Sequence, residues 1–337
     1  MSKTGTVDSH THILTEEAMR LLAKESPKVA PVLKGAGTPR AILEIDGRVV
    51  QDPMPSEIWD FGMRLRDMDA NGVDVQVLSP TVFTFFYHQE PKLALACAAI
   101  QNEEIATLVK RMPDRFMGLG CVPLQAPVEA AAELRRAMTQ LGLRGAMIGT
   151  NVNGRNLDDP ALEPFWATAE ALGAFLFIHP HGGGVGDRLA SYYMKNFVWL
   201  PFDTTIAAAT LVFGGVLDRH PKLKICLSHG GGFVPYQAGR FQHAYDVRPE
   251  AKVNLPNGPA ASLRRLYYDT ILHKTSVLEF LVSEVGADRV LLGSDYPFDM
   301  GNLDCVARVR AARMAPEARD LILGGYARTL LGEGIHA

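Results

Sequence analysis

The sequence has few cysteines and no cysteine-pair motif. Its four cysteines are far apart in a chain of 337 residues, and no Cys-x-x-Cys occurs. This spacing fits reduced thiols better than a disulfide framework or a thiolate zinc site. We therefore expect all four to be reduced side chains packed in the core: Cys97, Cys121, Cys226 and Cys305.

The chain also lacks an excess of charge of either sign. It has 34 Lys and Arg residues against 37 Asp and Glu residues, a formal net charge of −3. No basic cluster alternates with aromatic residues, which is the pattern that nucleic-acid binding and attraction to anionic membranes require. With 47% hydrophobic residues, the chain is typical of a soluble globular protein, and we expect a small-molecule ligand.

Long hydrophobic runs are a further absence. We find no apolar segment long enough to cross a bilayer, and the first residues, Met-Ser-Lys-Thr-Gly, lead into a strand without the apolar core of a signal peptide. We therefore expect a cytoplasmic protein with no membrane contact. The length suffices for one large hydrophobic core or two smaller ones.

Strand-like and helical segments alternate along most of the sequence. Several strand segments, such as Phe175-Leu-Phe-Ile178, are continuous apolar runs, the pattern of strands that are covered on both faces. The alternation predicts a parallel (β/α)8 TIM-like barrel, with an open doubly wound sheet as the alternative. The eight predicted strands lie at residues 7–12, 73–78, 116–123, 145–150, 175–179, 223–229, 266–272 and 289–294.

Two regions depart from this alternation. Residues 26–55 are interrupted by prolines and glycines and predict an irregular insertion after the first strand, with a short hairpin at residues 41–50. Beyond the eighth strand, three helical segments without a strand predict a helical C-terminal tail. We interpret residues 1–337 as a single barrel domain.

Histidines and one aspartate recur where the predicted strands end. His10 and His12 share one face of the first strand, because side chains at i and i+2 point the same way. His179, His229 and Asp295 close the fifth, sixth and eighth strands. Functional side chains of such barrels lie at the carboxyl ends of the strands, so we expect all five on one rim, where they match a zinc-like ion with an open position for water. Singly, each histidine could be a hydrogen-bonded core residue and the aspartate a helix cap or turn residue.

These motifs resemble those of the amidohydrolase superfamily. The segments His-Thr-His, His-Pro, His-Gly-Gly-Gly and Gly-Ser-Asp-Tyr-Pro are similar to motifs of its metal-dependent non-oxidative decarboxylases, and the similarity covers nearly the whole chain. The resemblance implies that His10, His12, His179 and Asp295 bind a metal ion, most simply Zn²⁺. It also implies that His229 is the general acid/base beside the metal-bound water.

The same resemblance implies how a substrate carboxylate would be bound. Arg48 and Arg240 fall where the family binds carboxylate, the second reaching across from a neighbouring subunit, so a homodimer is implied. A guanidinium group binds carboxylate in a fork geometry, although on residue type alone both arginines are ordinary surface residues. His181 departs from the family pattern, and it either contacts substrate or orients its loop.

Three further departures or absences narrow the interpretation. Members with two metals carry a lysine on strand four, but no lysine occurs between Lys110 and Lys195, which favours one metal. Relatives that act on hydroxybenzoates have glutamate in place of the first histidine, so His10 favours the aminocarboxymuconate-like branch. Tyr326 stands where the family usually has asparagine, and we expect it to affect local capping more than chemistry.

We therefore expect a zinc-dependent carboxy-lyase that decarboxylates an unsaturated or aromatic carboxylic acid. Zinc lowers the pKa of its bound water to about 7, so the alternative is a metal-dependent hydrolase or hydratase of a related ring-cleavage intermediate. Release of carbon dioxide separates these two. A binding protein that has lost turnover is a third possibility, which the full ligand set disfavours.

Overall fold

The computed structural model describes residues 5–36, 38, 40–45, 47–181 and 187–332. Strands and helices alternate through most of these residues. The strands are β1 (Val7–Ile13), β2 (Val32–Lys34), β3 (Ile42–Ile45), β4 (Arg48–Gln51), β5 (Val75–Pro80), β6 (Phe116–Gly118), β7 (Gly145–Gly149), β8 (Phe175–His179), β9 (Lys224–Leu227), β10 (Tyr267–Asp269) and β11 (Val290–Leu291). The helices are α1 (Glu16–Glu25), α2 (Phe61–Asn71), α3 (Pro91–Arg111), α4 (Pro127–Thr139), α5 (Glu163–Leu172), α6 (Leu200–Phe213), α7 (Val216–Arg219), α8 (Val234–Val247), α9 (Pro259–Leu263), α10 (Thr275–Val285), α11 (Cys305–Ala311), α12 (Pro316–Asp320) and α13 (Tyr326–Leu331).

Eight of the strands form a closed parallel barrel. They lie in two runs, β1-β5-β6 and β7-β8-β9-β10-β11, and every pairing within the runs is parallel. Bridges between Gly120 and Ala146 and between Thr11 and Tyr296 join the runs at both ends. The predicted (β/α)8 barrel is therefore confirmed, and the open doubly wound sheet is wrong because the first strand meets the segment after the eighth.

Burial on both faces explains the apolar strand sequences. Every residue of β8 is buried, as is every residue of β5, because barrel interior and helices cover opposite faces. Gly145 begins β7 with a φ of 149°, and a Cβ there would lie 1.9 Å from the carbonyl oxygen of Phe175. Only glycine therefore lets β7 and β8 approach at this point. All four cysteines are free and buried, as expected.

A small antiparallel sheet lies between α1 and α2. Its strand order is β2-β3-β4, and β3 and β4 form the predicted hairpin, whose turn residue Asp46 lies outside the described residues. Leu43 packs in a cluster with Met54 and Ile58, against the partly buried rings of Phe83 and Phe298. This packing places β4 against the same end of the barrel as Phe298. The division into one domain with an insertion at residues 26–55 stays a prediction.

The observed elements differ from the predicted ones mainly at their ends. The third, seventh and eighth barrel strands are shorter than predicted, at Phe116–Gly118, Tyr267–Asp269 and Val290–Leu291. Beyond the third and eighth strands the chain keeps single backbone hydrogen bonds to its neighbours, from Leu119 N–H to Leu78 O and from Asp295 N–H to His10 O. Thr15 precedes α1, but its side chain makes no capping hydrogen bond. The helices α11 to α13 confirm the helical C-terminal tail.

One helical run, residues 195–213, is long and apolar enough to span a membrane by length and composition alone. We expected no such run from the sequence. It arises because a π-helical turn, Lys195–Trp199, continues directly into α6. In the structure α6 packs on the protein through a buried face that includes Asp203, Ala207 and Leu211, and 33% of the most apolar window is buried.

Candidate metal centre

Four of the predicted site residues lie together at one end of the barrel. His10 and His12 come from β1, His179 ends β8 and Asp295 follows β11. All four are buried, and one ligand atom from each lies within 4.8 Å of the others. The parallel strands account for this arrangement, because their carboxyl ends meet on one rim.

Hydrogen bonds fix which ring nitrogen of each histidine faces the centre of this cluster. His10, His12 and His179 each contact a carboxylate or carbonyl oxygen through Nδ1. Such oxygens only accept, so in the neutral ring Nδ1 carries the proton and Nε2 keeps its lone pair. The accepting atoms, in the same order, are Asp269 Oδ2 at 2.6 Å, Pro80 O at 3.4 Å and Pro180 O at 2.7 Å.

The three Nε2 atoms converge on one carboxylate oxygen. Asp295 Oδ1 lies 3.2 Å from His10 Nε2, 3.0 Å from His12 Nε2 and 3.9 Å from His179 Nε2. The Nε2 atom of His179 is buried and has no hydrogen-bond partner among the described residues. Lone pairs that face one another in a buried space are costly unless a cation lies between them. Three imidazoles and a carboxylate are a ligand set for a divalent transition metal, so the residues fit such an ion.

The charges within the cluster set the protonation states of these groups. Burial lowers the pKa of His179 to about 3 and also lowers the pKa of His12. Burial disfavours the charged form of His10 as well, but the carboxylates of Asp295 and Asp269 outweigh it and raise the pKa of His10 to about 10. Burial opposes ionisation of Asp295 too, yet the charge of His10 holds the pKa of that carboxyl well below its usual range. At neutral pH the metal-free protein therefore holds a second proton on His10, at Nε2, which a bound cation would replace.

His229 lies beside the cluster and outside the set of four ligand atoms. It stands in the turn after β9 with a φ of 55°, and its Nε2 is 3.6 Å from Asp295 Oδ2. Its ring centroid is 4.9 Å from that of His179. The side chain is 13% exposed and lines the adjoining cavity, so a substrate in that cavity can reach it.

A cavity of about 680 Å³ opens onto the cluster. This volume is within the range that binds small organic ligands. Its lining includes the aromatic side chains of Phe83, Trp199 and Phe298. The strand β4 contributes Val49, Val50 and Gln51 to the wall. The cavity thus offers flat apolar surfaces next to the three histidines and the carboxylate.

The predicted substrate-binding residues occupy different places. His181 lines the cavity, where its Nε2 contacts the carbonyl oxygen of Asn151 at 3.0 Å. Arg48 and Arg240 are exposed and do not line it within one chain. Arg48 begins β4, next to the lining residues of that strand, whereas Arg240 lies on α8.

Sequence reasoning missed two residues of this region. Within the described residues, Lys195 is the one lysine or arginine that lines the cavity, and its place in a π-helical turn has no sequence motif. Asp269 is fully buried and bonds to His10. Its position as the last residue of β10 was the available signal, because strand ends carry the functional side chains of these barrels.

Comparisons with known proteins agree with this geometry. The sequence model of the family described as Amidohydrolase matches residues 7–332. The 2-amino-3-carboxymuconate-6-semialdehyde decarboxylase of Dictyostelium discoideum is 38% identical over 329 residues, which cover 97% of this chain and 91% of that protein. The chain is therefore similar to that decarboxylase along almost its entire length.

Solved structures of decarboxylases have the same fold. A 5-carboxyvanillate decarboxylase from Sphingomonas paucimobilis superposes with a TM-score of 0.83 and 25% identity, covering 97% of this chain and 99% of its own. The 5-carboxyvanillate decarboxylase of Novosphingobium aromaticivorans, complexed with manganese and 4-hydroxy-3-methoxy-5-nitrobenzoic acid, superposes with a TM-score of 0.83 and 23% identity, covering 97% and 96% of the two chains. From the family match and the similarity along its length, the chain belongs to the amidohydrolase family, as its histidine and aspartate motifs predicted.

Proposed function

We propose that this protein is a metal-dependent non-oxidative decarboxylase of an unsaturated or aromatic carboxylic acid, similar to 2-amino-3-carboxymuconate-6-semialdehyde decarboxylase. The observation that carries the proposal is the convergence of three imidazole Nε2 atoms and one carboxylate beside a cavity that also exposes His229. Decarboxylase activity in a relative that is 38% identical supports the same reaction class for this chain.

Different residues of the chain would bind the metal ion and transfer the proton. His10, His12, His179 and Asp295 would hold the cation, which when bound supplies Lewis-acid polarisation of a substrate oxygen. When the bond to the leaving carboxylate breaks, its electron pair stays on the substrate carbon and carbon dioxide departs. His229 faces the cavity and would deliver a proton to that carbon, then regain one from solvent.

Zinc is our proposal for the native ion, with one ion in each chain. The support is chemical, because neutral imidazoles and a single carboxylate in a buried site match the coordination preference of zinc. Because the structure of a similar decarboxylase contains manganese, zinc has to be compared with manganese as the ion that supports turnover. Metal-free protein reloaded separately with zinc, manganese or cobalt should show the highest turnover with zinc.

Charged side chains around the cavity would select an acidic substrate. Lys195 and His181 line the wall, and the Lys195 ammonium group could pair with a substrate carboxylate. Burial lowers the pKa of His181, and its Nε2 contacts the carbonyl oxygen of Asn151. Arg48 lies beside the lining residues of β4 and would complete this set with a small movement of its side chain. We propose that Arg240 serves the same purpose in a different cavity, that of a second copy.

Exposed aromatic residues on α8, the helix that carries Arg240, and on a neighbouring helical run support a homodimer. On α8 and just before it, Tyr236 is 79% exposed and Phe233 is 40% exposed. Phe197 and Phe202, at the start of the neighbouring helical run, are 51% and 44% exposed. Surfaces of this kind are usually covered by another chain, and a second copy would bring its own Arg240 to this region. The buried free cysteines support our further proposal of a cytoplasmic location.

The reaction class can be tested directly. Purified, metal-replete protein is incubated with a panel of muconate-like and hydroxybenzoate-like acids while carbon dioxide release and substrate mass are followed. We expect stoichiometric carbon dioxide with at least one acid, and none after the metal is removed by a chelator. Consumption of an acid with the gain of one water and no carbon dioxide would identify the alternative, a hydrolase or hydratase.

A further inference from the structure

One buried carboxylate contacts two separate parts of the candidate metal centre. Asp269 Oδ2 accepts hydrogen bonds from Nδ1 of His10 at 2.6 Å and from the backbone N–H of His229 at 3.0 Å. Its Oδ1 accepts from the backbone N–H of Gly230 at 2.7 Å and of Ile271 at 3.1 Å. Both oxygens are therefore fully used within the protein, and Asp269 has 0% exposure. It does not belong to the four-residue ligand set or to the cavity lining.

The backbone that Asp269 holds has an uncommon conformation. His229 has a φ of 55° and Gly230 a φ of 62°, in the left-handed region that histidine rarely adopts. Successive amides in such a turn point to the same side and form an anion-binding concavity. Asp269 fills that concavity, so its negative charge stabilises the turn from which the His229 ring projects.

We propose that Asp269 is a positioning residue that couples the metal ligand His10 to the proton donor His229. Through one oxygen it keeps the proton of His10 on Nδ1, which leaves Nε2 free for the cation. Through both oxygens it holds the His229 turn so that Nε2 stands 3.6 Å from Asp295 Oδ2. This inference rests on the proposed function, since it assigns Asp269 to the same site.

The variant Asp269→Asn tests whether the carboxylate oxygens of Asp269, rather than the size of its side chain, position His10 and His229. Asp269→Asn keeps the size of the side chain but replaces one accepting oxygen by a donor that would face N–H groups. A partner that orients a ligand histidine typically changes metal affinity by roughly 10- to 100-fold. Because Asp269 does not line the cavity, the substrate KM should change little while kcat falls.

The experiment compares Asp269→Asn with the neighbouring variant Tyr268→Phe. Tyr268 is also buried in β10, and its hydroxyl donates to the carbonyl of Leu263 at 3.3 Å, so its variant reports on general weakening of the strand. Zinc and cobalt affinities are measured by chelator competition, and amide hydrogen exchange is followed across the segment that contains His229 and Gly230. Neither measurement uses a substrate.

We expect Asp269→Asn to lose metal affinity by roughly tenfold or more and to exchange the amides of His229 and Gly230 faster, with Tyr268→Phe unchanged in both. At saturating metal, kcat should fall by a similar factor with KM nearly constant.

Wild-type metal affinity together with wild-type exchange in Asp269→Asn would overturn the proposal. If that variant fails to fold, unprotected Gly230 and His229 amides in the wild-type protein would overturn it equally. A wild-type protein that turns over no acid would refute the proposed function, while the metal and exchange results would still decide the role of Asp269.

Discussion

His12 Nε2 and Asp295 Oδ1 lie 3.0 Å apart although 283 positions separate the two residues in the sequence. They come from the first barrel strand and from the segment after the last, which also share the bridge between Thr11 and Tyr296. The first and last parts of the barrel sequence thus meet at the candidate metal centre. The Asp295 carboxylate is the group on which the Nε2 atoms of all three histidines converge.

Removal of this carboxylate should abolish metal binding. Asp295→Ala leaves three imidazoles and no negative ligand, so we expect less than roughly one tenth of the wild-type metal content and no turnover. Elemental analysis of the purified protein measures the metal. Asp299→Ala is the matched control, because Asp299 lines the same cavity but is not one of the four ligands. Stoichiometric metal in Asp295→Ala would contradict the assigned ligand set.

Replacement of His229 should separate metal binding from turnover. His229→Ala keeps all four proposed ligands but removes the group that would deliver the proton. We expect full metal content and a loss of kcat of about 10²-fold or more, measured as carbon dioxide release. Partial recovery with added imidazole would support a proton-transfer role. An active His229→Ala would exclude that role.

Metal affinity should increase with pH. Because the carboxylates of Asp295 and Asp269 raise the pKa of His10 to about 10 against the effect of burial, metal-free protein keeps a proton on this ring at neutral pH. The cation must displace that proton, so the apparent affinity should rise by up to about tenfold for each pH unit between about pH 6 and about pH 8. Calorimetry in two buffers of different ionisation enthalpy should show about one proton released for each ion bound. A pH-independent affinity would show that His10 is already neutral.

Hybrid dimers test whether Arg240 acts on a neighbouring subunit. We expect Arg240→Ala and His229→Ala to be inactive as separate homodimers. When the two are unfolded together and refolded, each mixed dimer contains one site with His229 and a partner's Arg240. About a quarter of wild-type activity should then return, measured as carbon dioxide release. No recovery, with mixed dimers shown by mass spectrometry, would mean that Arg240 does not act across an interface. A monomer in sedimentation equilibrium would refute the dimer itself.

Gly145 tests the packing of the barrel. Gly145→Ala would place a Cβ 1.9 Å from the carbonyl oxygen of Phe175 at a φ of 149°, so β7 and β8 would have to separate. We expect a loss of unfolding free energy of about 3 kcal/mol, measured by denaturant titration. Gly142→Ala is the control, since Gly142 also has positive φ but its Cβ would meet nothing within 4 Å. Its variant should lose about 1 kcal/mol. Equal losses of unfolding free energy in the two variants would show that the contact between the added Cβ and Phe175 does not destabilise the protein beyond the strain of positive φ.

The barrel could be predicted from the sequence because its strands carry a strong local signal. Continuous apolar runs such as β8 and ligand residues at strand ends identify strand type and rim position together. The grouping of His10, His12, His179 and Asp295 followed from the same rule. This prediction succeeds because the direction of the strands alone fixes the end of the barrel at which these side chains lie.

The parts that could not be predicted depend on three-dimensional detail. Asp269 has no motif around it; its position at a strand end was a signal, but its contacts with His10 and with the turn at His229 depend on tertiary structure. The π-helical turn that puts Lys195 in the cavity wall depends on backbone hydrogen bonds rather than on residue pattern. The positions of Arg48 and Arg240 relative to the cavity likewise depend on tertiary packing, and for Arg240 on a second chain.

The bridge between Thr11 and Tyr296 closes the barrel between its first strand and the segment after its last, and this closure would make the lifetime of the folded protein depend on the supply of the metal ion. The proposed ligands come from the strands on both sides of that bridge, so a cation held there would stabilise closure by an amount that grows with the logarithm of its free concentration. Cells short of the ion would then contain less of the protein, and what remained would be more easily degraded by proteases.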